Sequence, residues 1–154
     1  MTMVDDTKAE VMAVLSKYAE GYSNKDLKTL MALTAKDYIG FGSGLDDNIS
    51  SRDKLSHFLK RDFSQCGDLS MKFAPTYIEA DGKLAWVTGN CTIEANIGDE
   101  KIRSAGRMTI ILRKVRNKWL FAHTHFSAPM MCINLSKKEV PGTIEYGISI
   151  SVPS

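Results

Sequence analysis

Two histidines, His123 and His125, stand two residues apart in the strand-like segment between Trp119 and Pro129. In an extended strand this spacing places both imidazoles on one face, together with the hydroxyl group of Ser127. An imidazole can donate a hydrogen bond, accept one or carry a proton near neutral pH. The pair is therefore a candidate for acid–base chemistry.

The same pair is also half of a metal site. Zinc or iron requires at least one more protein ligand. Only Cys91, Asp46 and Asp47 come into consideration, and none of them belongs to a recognisable metal-binding motif. We therefore predict no bound metal and no cofactor.

One fixed cation and one acidic turn complete the residues that could do chemistry. Arg107 offers a planar guanidinium that suits a carboxylate or phosphate ligand. It could equally form an internal ion pair with Asp46, Asp47 or Asp62, because buried charges are normally paired. In the glycine-rich turn 42–47, Asp46 or Asp47 could act as a general base or could satisfy backbone amides of the turn.

The elements that must position these residues are three helices and then a sheet. The first helical stripe consists of Val11, Leu15, Tyr18 and Tyr22. A second helix is predicted after an N-cap at Asn24, and a third from Ser51 to Cys66. From residue 69 onward the segments 69–80, 83–97, 101–115 and 118–128 alternate like strands and are joined by two-residue turn signals. Helices followed by such a meander define an α+β fold.

Side-chain alternation indicates which strand faces are covered. In 83–97 the odd positions form a small apolar face that we expect to meet the helices. A second apolar group, Met108, Ile110 and Leu112, lies in the next strand. We predict that these three residues and Trp86 are buried in a sheet-to-sheet homodimer, or that the C-terminal segment covers them instead.

Composition excludes several classes of protein. The chain has 154 residues, with 20 Lys+Arg and 18 Asp+Glu, so its net charge of +2 does not favour nucleic acid as a partner. It has no apolar run of membrane-spanning length and no signal-peptide core, so no membrane partner is expected. Three scattered cysteines favour a reducing cytoplasm over a disulfide framework. We predict one domain over 1–130 and an extension, 131–154, whose alternating segment 143–152 forms a strand packed on the domain or on a partner subunit.

Two local strings carry a family resemblance. KYAEGYSNKDLKTLM (17–31) and WLFAHTHFS (119–127), in this order, resemble the nuclear-transport-factor-2-like superfamily, and within it the SnoaL-like and ketosteroid-isomerase-like branches. The resemblance covers residues 4–129. It implies a cystatin-like cone, in which three N-terminal helices pack on a curved antiparallel sheet.

The resemblance also implies site residues. The cavity of the cone would be lined by Tyr18, Cys91, Arg107, Trp119, Phe121, His123, His125 and Ser127. Tyr18 matches the tyrosine that donates to a developing oxyanion in ketosteroid isomerases. The general-base aspartate of those enzymes falls near Gly42 and their protonated aspartate near Arg107. Because a guanidinium cannot replace a neutral acid, steroid isomerisation by that mechanism is not expected.

We therefore predict a small-ligand-binding SnoaL-like domain. Its activity would be that of a cofactor-free isomerase, cyclase or dehydratase acting on a small carbonyl or carboxylate compound, with an anionic ligand held by Arg107. Tyr18 and Arg107 would stabilise negative charge, His123 or His125 would move the proton, and Asp46 is a further candidate base. The alternative is a non-catalytic sensing or assembly module that dimerises through its sheet. The catalytic hypothesis requires Arg107 and the two imidazoles to converge on one hollow beneath the first helix.

Overall fold

A computed structural model of the chain describes residues 3–129, with side chains from residue 6 onward. The elements are α1 (Met3–Ser23), α2 (Leu27–Ala32), β1 (Thr34–Phe41), β2 (Asn48–Ile49), α3 (Arg52–Gln65), β3 (Leu69–Asp81), β4 (Leu84–Ile97), β5 (Glu100–Val115) and β6 (Lys118–Ser127). The predicted α+β fold is confirmed. The predicted strand 143–152 and the rest of the extension 131–154 lie outside the described residues, so the proposed domain boundary stays a prediction.

The strands form one open six-stranded sheet in the order β2-β1-β6-β5-β4-β3. β1 and β6 are parallel, and the other neighbours are antiparallel. The helices cover one face of the sheet, which we call the inner face, and the opposite one is the outer face. α1 also reaches the edge strand β3, where the Met71 amide donates to the Ser23 hydroxyl at 2.9 Å.

The helix boundaries follow from their caps. The Ser51 hydroxyl accepts from the Lys54 amide at 3.2 Å, so the predicted start of α3 is confirmed. The predicted cap of α2 is wrong by two residues, because Asp26 accepts from the Thr29 amide at 3.0 Å. Asn24 instead donates its amide to the Glu20 carbonyl and so completes the last turn of α1.

The hydrophobic core lies between the helices and the inner face. The odd positions of β4, with Val87 and Cys91 fully buried, face the helices as predicted. Met108, Ile110 and Leu112 are also buried there, on the neighbouring strand. The expectation that these three residues face a second subunit is therefore wrong, because the helices already cover them.

A β-bulge at Ala122 interrupts the alternation of β6. Ile111 pairs with His123 and Leu112 pairs with Phe121, so Ala122 has no partner of its own. The extra residue reverses the orientation of the side chains that follow it. As a result Phe121 points into the core, whereas His123, two positions further on, lies on the outer face.

No helix within residues 3–129 is both long enough and apolar enough to cross a bilayer.

Candidate functional site

A cavity of about 380 Å³ lies between α1, α3 and the inner face of the sheet. Its walls are mainly aromatic and aliphatic, with Phe58 from α3, and Met108 and Phe126 from the sheet, among them. The exposed lining residues are Phe41, Ser43, Arg61, Gln65 and Ile97, so the mouth is bordered by the turn 42–47 with the end of β1 before it, by the end of α3 and by the end of β4. The volume falls within the range of small-molecule binding sites.

Three tyrosines line this cavity. The Tyr38 hydroxyl hydrogen-bonds the Thr124 hydroxyl at 2.6 Å. The hydroxyls of Tyr18 and Tyr22 have no hydrogen-bond partner among the residues that the structure describes, although both side chains are buried. Burial raises the pKa of both phenols above their ordinary value, so each hydroxyl keeps its proton at neutral pH. Tyr18 and Tyr22 can therefore donate hydrogen bonds to a ligand oxygen.

The mouth of the cavity carries a small ionic cluster. The Arg61 guanidinium lies 3.1 Å from an oxygen of Asp62 and 3.5 Å from an oxygen of Asp47. It also lies over the Phe58 ring, at 4.8 Å from the centroid. Among the described residues Arg61 is the only cation that lines the cavity. Because its charge is already matched by two carboxylates, the cavity offers little attraction to an anion.

Asp47, and not Asp46, is the acid of the glycine turn that reaches the mouth. Its carboxylate accepts from the Gly44 amide at 2.8 Å, and its carbonyl accepts from the Gly42 amide at 2.9 Å. A Cβ on either glycine would come within 2.6 Å of that carboxylate, so this closure needs glycine at both positions. Asp46 is exposed and does not line the cavity, so its expected place in the site is wrong.

Two further groups at the cavity have shifted proton affinities. Burial raises the pKa of Asp62, and this effect exceeds the opposite influence of Arg61. A carboxyl group with a raised pKa is better suited to exchange protons near neutral pH than an ordinary aspartate. Burial also raises the pKa of the Cys91 thiol to about 11, so Cys91 is a neutral wall residue and not a thiolate nucleophile.

The expected convergence of Arg107, His123 and His125 beneath the first helix is wrong. Arg107 pairs with Ser127, and His125 pairs with Thr109, with all of these side chains on the outer face. Two physical causes act together. Met108 occupies the inner face, so the adjacent Arg107 must point outward, and the bulge at Ala122 separates the histidines from Phe121.

The remaining candidates are divided between the cavity and the core. Tyr18 and Cys91 line the cavity as expected. Phe121 does not, but its ring supports that of Tyr18 at a centroid distance of 4.4 Å. Trp119 is buried elsewhere and donates its indole N–H to Glu10 at 2.8 Å. Arg107 forms no ion pair within residues 3–129, so that alternative is wrong as well.

From the sequence alone, Arg61 is assigned no role and Asp62 is considered only as an ion-pair partner of Arg107. A signal was available in the helical spacing. Leu55, Leu59 and Asp62 stand at i, i+4 and i+7 of α3, so Asp62 continues the buried stripe of that helix. A carboxylate in an apolar stripe near the end of a helix indicates a polar contact in the interior.

The family of the chain is established by its sequence. Residues 11–131 match the model of the SnoaL-like domain, and the chain belongs to this family. No curated protein matches the sequence.

Solved structures of the nuclear-transport-factor-2-like superfamily share the fold. A protein of this family from Streptomyces avermitilis, provisionally named a dehydratase, has a TM-score of 0.76 at 14% identity, over 84% of this chain and 100% of that one. A superfamily member from Salmonella enterica has a TM-score of 0.74 at 16% identity, over 90% and 98%. A protein from Novosphingobium aromaticivorans, provisionally named a scytalone dehydratase, has a TM-score of 0.74 at 15% identity, over 80% and 85%. At such identities the similarity shows the fold.

Proposed function

We propose that this domain binds a small, neutral, mostly apolar organic molecule that carries a carbonyl or hydroxyl oxygen. The observation that carries the proposal is the pair of hydroxyls on Tyr18 and Tyr22, which open on the cavity without a hydrogen-bond partner among the described residues. Each hydroxyl can donate to a ligand oxygen, and one such hydrogen bond contributes about 0.5–1.5 kcal/mol net. The apolar walls would supply most of the remaining binding energy.

The charges around the cavity favour a neutral ligand over an anionic one. Arg107, the cation first expected to hold an anion, lies on the outer face. Arg61 is already paired with Asp47 and Asp62. An anion entering the mouth would meet two carboxylates and one matched guanidinium, which is electrostatically unfavourable.

We further propose that any turnover is cofactor-free acid–base chemistry of the isomerase, cyclase or dehydratase type. Tyr18 is suited to donate to a ligand oxygen on which negative charge develops. Asp62 is suited to accept or return a proton, because its pKa is raised and it lines the mouth. The dehydratase names carried by two structural neighbours are consistent with this class of reaction.

Three probes of similar shape test the proposed ligand class by calorimetry. They are 1-ethylnaphthalene, which has no oxygen, 1-acetonaphthone, which is a neutral ketone, and the 1-naphthoate anion. We expect the ketone to bind about five- to tenfold more tightly than the hydrocarbon, the gain of roughly one net hydrogen bond. Naphthoate should bind most weakly of the three.

Tyrosine variants identify the donor. Tyr18→Phe or Tyr22→Phe should abolish the preference for the ketone while leaving the affinity for the hydrocarbon nearly unchanged. Tyr77→Phe is the matched control, because Tyr77 is exposed and its hydroxyl donates to Glu79 at 3.1 Å. The proposal would be contradicted if naphthoate bound most tightly of the three probes. It would also be contradicted if Tyr77→Phe lost the preference for the ketone to the same extent as Tyr18→Phe and Tyr22→Phe.

A second proposed function is assembly into a homodimer through the outer face. Four large apolar side chains are exposed there: Ile39 (51%), Phe41 (44%), Trp86 (38%) and Ile111 (38%). Trp86 pairs with Ile111, Ile111 with His123, and His123 with Ile39, so three of the four lie in one row across four strands, with His123 between Ile111 and Ile39. Phe41 lies beside this row, paired with His125. Clustered exposed apolar side chains are typical of protein interfaces. Trp86 therefore keeps its place in the proposed interface, without Met108, Ile110 and Leu112.

Ile111→Glu should weaken this dimer at least tenfold, because it places a charge at the centre of the apolar row. Sedimentation equilibrium measures the change in the dimer dissociation constant. Leu45→Glu serves as the control, since Leu45 is 85% exposed in the turn 42–47, away from the row. A wild-type chain that stays monomeric, or a dimer unaffected by Ile111→Glu, would exclude this interface.

A further inference from the structure

The cavity makes no use of His123 and His125, which lie together on the outer face. Both imidazoles contact the same phenyl ring, that of Phe41, at centroid distances of 6.0 and 5.4 Å. Their Cα atoms are roughly 6.5–7 Å apart, as for any two residues separated by one along a strand. The two imidazole rings are thus adjacent on the same face of the sheet, and the Phe41 ring contacts both of them.

The hydrogen bond of His123 determines which of its nitrogens is available. Nδ1 lies 3.0 Å from the Ile39 carbonyl oxygen, and because a carbonyl only accepts, Nδ1 is the donor. In the neutral ring the lone pair then resides on Nε2. Histidines that bind metals commonly have their second nitrogen oriented by a backbone carbonyl in this way. His125 makes no hydrogen bond within the described residues, so its ring nitrogens are also available.

We propose that His123 and His125 bind Zn²⁺ and that a second copy of this chain supplies the same two imidazoles to complete a tetrahedral site. Two ligands alone do not satisfy Zn²⁺, which prefers four in a structural site. No group of three or more possible ligands exists within residues 3–129. Cys91, considered earlier as a third ligand, lies on the opposite face of the sheet.

A two-fold axis would supply the missing ligands without any further residue. In a symmetric dimer the same patch faces itself, so each pair of imidazoles meets its counterpart. Ile39 and Ile111 flank His123 on the neighbouring strands and would contact the second copy around the metal. On β5 the residues paired with the two histidines are Thr109 and Ile111, which are uncharged. Arg107, a cation of this strand, is paired with Ser127 instead. The involvement of a second copy rests on the proposed assembly through this face.

The test uses untagged full-length protein that is stripped with EDTA and studied at pH 7.5 with ZnCl₂ or with MgCl₂. Sedimentation equilibrium should show the dimer dissociation constant falling at least tenfold with Zn²⁺ and remaining constant with Mg²⁺, which prefers oxygen ligands. Calorimetry should show one Zn²⁺ bound per two chains. His123→Ala and His125→Ala should each abolish the response, and His57→Ala should keep it, because His57 is exposed on α3 and bonded to the Asp53 carbonyl.

The outcomes separate this inference from the assembly proposal. A chain that is monomeric in EDTA and dimeric with Zn²⁺ supports the metal site and contradicts a purely apolar dimer. A dimer with the same dissociation constant in EDTA and in Zn²⁺ overturns the metal site and leaves the apolar interface intact. Binding of one Zn²⁺ per chain without association, or loss of the response in His57→Ala, also overturns the metal site.

Discussion

Phe121→Ala is expected to lower the free energy of unfolding by about 3–5 kcal/mol, the usual cost of truncating a buried phenylalanine. Phe121 is 1% exposed on β6, one of the inner strands of the sheet. Its ring packs on that of Tyr18, and both border a small void that also touches Leu15. Because strands lie on both sides of β6, the backbone cannot move inward to fill the space that the phenyl ring leaves.

Urea unfolding at neutral pH measures this loss. The matched control is Phe41→Ala, since Phe41 is 44% exposed. Truncating this side chain should lower the free energy of unfolding of the monomer by less than about 1 kcal/mol. The comparison is made at a protein concentration low enough to exclude association. Equal costs at the two positions would contradict the burial of Phe121 in the core.

Ala95→Trp is expected to lower the affinity for 1-acetonaphthone by at least about 100-fold, or about 2.7 kcal/mol. Ala95 lines the cavity from β4 and is only partly buried, so an indole there extends into the open space without displacing the strand. The indole would occupy volume that the ligand needs for its apolar contacts, and these contacts supply most of the binding energy. Isothermal titration calorimetry measures the change.

Ala105→Trp provides the control for the size of the new side chain. Ala105 is exposed on the adjacent strand β5 and does not line the cavity. This variant should bind the ketone as the wild type does, and thermal unfolding should show both variants folded. If Ala95→Trp stays folded and binds with wild-type affinity, the probe does not occupy this cavity.

Much of the fold could be predicted from local patterns. The spacing of Val11, Leu15 and Tyr18 defines the buried face of α1, and the Ser51 hydroxyl caps α3 as expected. The turn signals predicted the bounds of the four long strands of the meander to within a few residues of the observed ones. These features depend on neighbours in the chain, so the order of residues is enough to indicate them.

The candidate site was predicted less well, because its parts meet across the fold. Tyr18 and Cys91 were expected in the cavity and lie there. Arg61, however, meets Asp47 from a segment 14 residues away, and no local pattern encodes that contact.

The amino-acid sequence by itself determined the α+β class, the family and the apolar faces of α1 and β4. Only the tertiary structure decided which polar groups face the cavity. A single bulged residue, Ala122, reverses the face of the side chains that follow it, and strict alternation cannot reveal such a reversal. The same arrangement that buries Phe121 beside Tyr18 places His123 and His125 on the outer face, because each residue of a strand can serve only one side of the sheet.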